Sequence, residues 1–191
     1  SRSPAWLSYD VEGVAALMAG KYYFVSQPEE DDEIIQTLNY DSGTSYLIER
    51  EACPIGFTYE TYISQSEFRQ IEREKRGYAA LKSLVVDEQH QQEVAQYLDE
   101  VDINTIHAED MKYDIEKNQK NIVNIYEMNS KGFKAQATCK NVTYAFFSVP
   151  YDKGWNAYLN GSQIRIMKVN GMMAIQLKSG ENDICFRYQI P

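Results

Sequence analysis

The sequence predicts an α+β N-terminal part, residues 1–105, followed by an all-β sandwich of jelly-roll-like type, residues 106–191. Three observations lead there. From Glu109 onward polarity alternates with a period of two, most cleanly where Phe133, Ala135, Ala137 and Cys139 interleave with Lys134, Gln136 and Thr138. That half is punctuated by Asn160-Gly161, Asn170-Gly171 and Ser179-Gly180, and Asn-Gly is the pair that best supplies the two positive-φ residues of a tight hairpin. The first hundred residues instead mix helix caps and helical periods with short Tyr-rich runs.

In chain order, Ser8 is placed to cap a helix through Ala19, with Asp10 and Glu12 in its first turn and Val11, Val14, Ala15 and Met18 on one face. Lys21–Val25 reads as a strand, Gln27–Glu33 as an acidic solvated loop, and Ser45–Arg50 and Phe57–Tyr62 as further strands split by the Cys53-Pro54-Ile55-Gly56 turn. Ser64-Gln65-Ser66-Glu67 is a capping box with Ile63 and Phe68 at the staple positions, opening a helix to about Arg76. Gly77 then permits a break before a second helical piece, Tyr78–Leu84. Gln89–Val101 carries Val94, Tyr97, Leu98 and Val101 at helical spacing, and Asp102–Ala108 reads as a linker. The second half predicts strands at Met111–Glu116, Ile122–Met128, Phe133–Cys139, Val142–Val149, Trp155–Leu159, Gln163–Val169, Met172–Leu177 and Asp183–Gln189, with Val142–Val149 apolar enough to be central.

Composition narrows the function classes. At 191 residues and 43% hydrophobic the chain can bury a core. A net charge of −9 and a pI near 4.8 leave no basic stripe for phosphates, since Glu72 and Glu74 interrupt the densest basic run, Arg69–Arg76; nucleic acid and anionic membrane surfaces are poor partners. No stretch approaches the ~20 apolar residues of a membrane span. The chain begins at Ser1 without a signal-peptide pattern and stops at Pro191 directly after a strand-like run, as expected of a segment between flanking segments of a longer protein. Cys53, Cys139 and Cys185 form no CxxC, and His90 and His107 stand alone, so neither a metal nor another cofactor is implied. Cys139 and Cys185 could pair if their strands are neighbours.

No catalytic constellation is legible: no GxSxG, phosphate loop, GxGxxG or HExxH. The acidic runs Glu29–Glu33 and Asp99–Asp102 read as solvated faces. Asn141-Val142-Thr143 and Asn160-Gly161-Ser162 match the glycosylation pattern. One cluster is chemically richer. Around Val149–Tyr158, an apolar strand ends at Pro150, turns through Gly154 and restarts on an aromatic. Tyr151, Asp152, Trp155, Tyr158 and Asn160 combine flat apolar faces with hydrogen-bonding groups, as a sugar ring requires. The structural alternative is that Trp155 closes one end of the sandwich.

The same stretch resembles a known family. Phe146-Phe147-Ser148-Val149-Pro150-Tyr151-Asp152-Lys153-Gly154-Trp155, then Leu159-Asn160-Gly161, Val169-Asn170-Gly171 and the ending Gly180–Tyr188 resemble the soluble C-terminal region of bacterial YfhO-type membrane proteins. Gly20-Lys21-Tyr22-Tyr23 and Cys53-Pro54-Ile55-Gly56-Phe57 resemble earlier marks of that family, with Cys53 where Leu is usual. The resemblance implies a multi-pass protein similar to lipid-linked-sugar glycosyltransferases of cell-envelope glycosylation, on teichoic acids for example. The segment would then stand on the extracytoplasmic face of the bacterial cytoplasmic membrane. Its partners would be the parent's membrane helices, and envelope glycans or a partner glycosyltransferase. The acidic catalytic residue of such enzymes belongs to an early loop outside this chain, so none of these residues inherits a catalytic role. Two classes stay open: an accessory domain guiding a glycan acceptor, or a structural and interaction module, with a stand-alone carbohydrate-binding domain as a third form.

Overall fold

A computed structural model of the chain describes residues 11–30 and 32–190. The predicted cap at Ser8 and the first-turn Asp10 lie outside the described residues. Helix α1 (Val11–Leu17) ends two residues before the predicted Ala19, which instead takes a left-handed conformation (φ 58°). The buried residues of this helix include Val14, Ala16 and Leu17, whereas the predicted Ala15 and Met18 are only half-buried.

Strands β1 (Tyr22–Val25), β2 (Glu33–Tyr40) and β3 (Gly43–Glu49) form a three-stranded antiparallel sheet, order β1-β3-β2. β2 was not predicted, because its residues are almost wholly exposed and show no clean alternation. A register shift between Ile34 and Gln36 bulges it.

The predicted single strand Phe57–Tyr62 is two: β4 (Gly56–Tyr59) and β5 (Thr61–Ser64), which enter different sheets. The capping box forms. Ser64 Oγ accepts from the Glu67 N–H at 3.2 Å and donates to the Glu67 carboxylate at 2.6 Å. The helix it opens is shorter than predicted: α2 (Gln65–Gln70), a 3-10 turn, then α3 (Arg76–Lys82), with Gly77 inside α3 rather than at a break. β6 (Leu84–Val86) returns parallel to β5.

The predicted helix Gln89–Val101 reduces to α4 (Gln91–Val94) and a short strand β7 (Asp99–Glu100). Its C-terminal part is drawn out to satisfy the other edge of β5, with the Asp99 N–H donating to Glu60 O and Val101 N–H to Tyr62 O at 3.2 and 2.9 Å. Conversely, the predicted strand Met111–Glu116 is the start of helix α5 (Met111–Lys120). The six-residue alternation there also satisfies a helical face, and Ile115 and Asn118 point into the core.

The remaining strands follow the predicted order. They are β8 (Asn124–Asn129), β9 (Gly132–Cys139), β10 (Thr143–Pro150), β11 (Trp155–Leu159), β12 (Ser162–Ile164), β13 (Met167–Val169), β14 (Met172–Leu177) and β15 (Gly180–Tyr188). The predicted strand Gln163–Val169 turns a corner at Arg165-Ile166. β12 joins the five-stranded sheet β12-β11-β15-β9-β8, and β13 joins the four-stranded sheet β13-β14-β10-β4. Both Asn-Gly turns adopt the expected positive φ, 50° and 80° at 160–161, 47° and 83° at 170–171.

The four-stranded sheet is buried on both faces. On β10, Ala145 and Phe147 pack toward the five-stranded sheet with Phe133, Ile184 and Phe186, while Tyr144 and Phe146 pack with Phe57, Tyr59 and the helices. β10 is therefore central, hydrogen-bonded to β14 on one side and β4 on the other. The Cys139–Cys185 pairing that the sequence leaves open does not form. β9 and β15 are neighbours, yet Cys139 faces Gly180 and Cys185 faces Lys134 in the register, and all three thiols are free.

Phe147 is fully buried. Phe147→Ala is expected to cost about 3–5 kcal/mol in urea unfolding. Phe24→Ala, at a residue 68% exposed, should stay within about 0.5 kcal/mol.

Candidate functional site

The five residues singled out from the sequence do not assemble into one surface. Trp155 lies at the mouth of the sandwich, its ring 6.0 Å from Phe133, 6.2 Å from Phe186 and 5.1 Å from Tyr188. Alternation along β11 sends Tyr158 to the opposite, outer face, where the Arg187 guanidinium stands 5.3 Å from its ring. Tyr151 is exposed at the end of β10, with Lys168 Nζ 5.7 Å from its ring. Asp152 makes a turn: its Oδ1 accepts from the Gly154 N–H at 2.8 Å and from the Tyr188 hydroxyl at 3.2 Å. Gly154 is required there, since a Cβ would sit 2.3 Å from Gln189 O. Asn160 is fully used as well. Its N–H donates to Asp183 O, its Oδ1 accepts from the Asp183 N–H, both at 2.8 Å, and it takes the first positive-φ position of the hairpin.

A different place offers polar groups in a concavity. An open groove of about 530 Å³ runs between the β9–β10 turn, the end of β4, the C-terminus of α5 and the loop after α4. Thr58, Tyr97, Lys120, Thr138, Lys140 and Asn141 line it, with Leu98, Ile122 and Val142 as its apolar parts. Within the described residues, the side chains of Lys120, Thr138, Lys140 and Asn141 make no internal hydrogen bond or ion pair. Their hydrogen-bonding capacity faces the groove or solvent.

Local structure explains why they converge. The tight turn Lys140–Val142 between β9 and β10 lifts Lys140 and Asn141 above the sheet, while α5 must stop at Asn121 so that Val123 N–H can donate to Gly56 O at 2.8 Å. The Thr58 N–H donates to Asn121 O at 2.9 Å, which fixes the helix end against β4. Tyr97, expected on an apolar helix face, is 42% exposed, its ring 6.4 Å from Tyr144.

The electrostatics of the groove differ from those of the whole chain. Glu60 lines it, but its carboxylate is engaged by Lys117 Nζ at 2.7 Å, and that hydrogen bond holds its carboxyl below the ordinary range. With Glu60 neutralised, Lys120 and Lys140 leave a local positive balance in a chain of net charge −9. The groove thus suits neutral or anionic hydroxyl-rich ligands, with an aromatic face at Tyr97. The Cys139 thiol also lines it, and burial raises that thiol above its ordinary value. No group of three or more His, Cys, Asp or Glu side chains able to hold a metal occurs among the described residues.

Sequence reasoning did not find this groove because its lining comes from four separated segments that carry no shared motif. The Asn141-Val142-Thr143 match was the one local mark that touched it.

A family model described as bacterial membrane protein YfhO matches residues 82–191. No curated protein and no solved structure matches the chain. Among the described residues no helix is long and apolar enough to cross a membrane.

The Asp152 carboxylate, first through its hydrogen bond, raises the titration of the Tyr188 hydroxyl above the ordinary phenol range. In an NMR titration of labelled tyrosine rings, Tyr188 should deprotonate later than a free tyrosine, and Asp152→Ala should bring it back down.

Proposed function

The chain belongs to the YfhO family of bacterial membrane proteins, and on that footing we propose that it is an extracytoplasmic accessory domain which guides a glycan acceptor. The parent would be a polytopic protein resembling lipid-linked-sugar glycosyltransferases of cell-envelope glycosylation. The observation that carries this reading is the groove at the β9–β10 turn, which gathers hydroxyl, amide and ammonium groups beside one exposed aromatic ring. Sugar hydroxyls exchange water for such partners with little net gain per bond, so the expected affinity is weak, in the millimolar range. Weak holding suits an acceptor that must be released and advanced. Lys120 and Lys140 extend the reading to anionic acceptors such as the phosphodiester-linked polyols of teichoic acids, because charge-assisted hydrogen bonds are about twice as strong as neutral ones. Catalysis itself is assigned to parts of the parent outside this chain.

A second reading has its own observation. On the three-stranded sheet, Tyr22, Phe24 and Leu47 share one face with Leu38 and Tyr40, and Tyr22, Phe24 and Tyr40 are 57–68% exposed. An apolar face of that kind marks an interaction surface, as the structural and docking alternative requires. The two readings place the working surface on different sheets.

Backbone-amide NMR with glycerol-phosphate oligomers and N-acetylhexosamine oligosaccharides at millimolar concentration tests the first. Shifts confined to Thr58, Tyr97 and Lys140–Thr143 are expected. Lys120→Ala/Lys140→Ala should weaken the anionic ligands about tenfold, the loss of roughly one charged contact, and leave the neutral ones little changed. Absence of any response there, with partner capture abolished by Phe24→Ser, would leave the docking module as the surviving function.

A further inference from the structure

The C-terminal end of α5 forms one wall of the acceptor groove, and the same helix carries a buried carboxyl group. Asp114 is 4% exposed. It lies in the first turn of α5 and has no hydrogen-bond or ion-pair partner within bonding distance, although such partners are the rule for a buried carboxylate. Its neighbours on α5 are engaged. Asn118 Nδ2 donates to Leu81 O at 2.9 Å and to Cys53 Sγ at 3.5 Å, and Lys117 holds Glu60.

The charged and titratable groups around Asp114 are few. From α3 comes Lys82, whose ammonium is already committed to Asp110 Oδ2 at 2.8 Å and Thr105 O at 3.0 Å. Asp110 itself precedes α5, and Lys117 follows one turn later. From the segment before β4 comes the Cys53 thiol, and from β4 the Tyr59 hydroxyl, which donates to Ala80 O. Neither lysine forms an ion pair with Asp114 and no donor bonds to it, so only their charges at a distance offset its ionised form.

We propose that Asp114 acts as a proton-operated latch on α5. Neutral, it lets the helix seat fully on α3 and β4; ionised, it weakens that seat and frees the helix end Lys120–Ile122 that walls the groove. Burial, the largest influence, raises the carboxyl above the ordinary carboxylate range; Lys82 opposes it, Asp110 adds to it and Lys117 opposes it again. The folded state therefore binds this proton more tightly than the unfolded chain. The stabilisation is complete below the unfolded value near 3.9 and is lost as pH rises through the higher folded value. The consequence for acceptor binding rests on the function proposed above; the latch does not.

The test compares wild type with Asp114→Asn, an isostere that cannot ionise, in thermal unfolding between pH 3 and 8. The Tm of Asp114→Asn relative to wild type should rise with pH and level off, by about 3 °C for each kcal/mol of relief. Asp114→Ala serves the same comparison at smaller volume. Asp110→Asn is the control of opposite sign, because the Lys82 hydrogen bond holds Asp110 below the ordinary range; its relative Tm should fall as pH rises. Hydrogen exchange at pH 8, compared between the proteins at equal pH, should be faster in wild type across 115–121 than in Asp114→Asn and equal in β10. A pH-independent Tm difference, or equal α5 exchange at pH 8, overturns the latch. Failure of glycan binding with these pH effects intact overturns only the acceptor reading.

Discussion

β10 is packed from above and below by different partners, and the architecture follows from that double burial. One face of the strand presents Ala145 and Phe147 to the five-stranded sheet; the other presents Tyr144 and Phe146 to Phe57, Tyr59 and the helical layer. A strand sealed on both sides must have every backbone group paired within the sheet. β14 supplies one ladder and β4, from the first half of the chain, supplies the other. The sandwich and the α+β part are thus joined through hydrogen bonds and apolar packing rather than laid side by side.

Polar contacts reinforce the same junction. Glu93 on α4 takes Arg165 at 2.5 Å and the Tyr144 hydroxyl at 3.2 Å, so the corner between β12 and β13 is tied to a helix over seventy residues upstream. Both charged partners are substantially exposed, at 39% and 56%, and their contribution is directional more than energetic. Asn118 performs the buried counterpart, linking α5 to α3 and to Cys53, whose thiol burial pushes up to about 12. A thiol held that far from ionisation is a packing group rather than a nucleophile.

Much of this was readable in residue order, and the failures have physical causes. The Asn-Gly hairpins, the central character of β10 and the cap at Ser64 are local signals, and local signals survive folding. Met111–Glu116 was misread because six alternating residues fit a strand and a helix equally; only the polar continuation through Lys120 and the contacts of Ile115 decide for helix. Gln89–Val101 was misread because its periodicity was right while the free edge of β5 competed for the same backbone. β2 escaped because an exposed strand lacks the buried face that periodicity detects. As for the site, Trp155 and Tyr158 looked adjacent on paper, but a spacing of three residues in a strand puts side chains on opposite faces. The groove has no linear signature, since Thr58, Tyr97, Lys120 and Asn141 meet only after the sheet has closed.

The insertion of β4 beside β10 also sets an order of events during biosynthesis. About ninety residues separate Phe57 from its partner Phe146, and such non-local pairing forms slowly because a long loop must close first. Until β10 leaves the ribosome, β4 has no partner on that edge and the helical layer has no floor. A nascent chain paused before residue 143 would expose Phe57 and Tyr59 to solvent, and with them a template for misassociation. Closure of that edge therefore waits on the synthesis of β10, and a stall before it leaves an apolar strand edge open to aggregation.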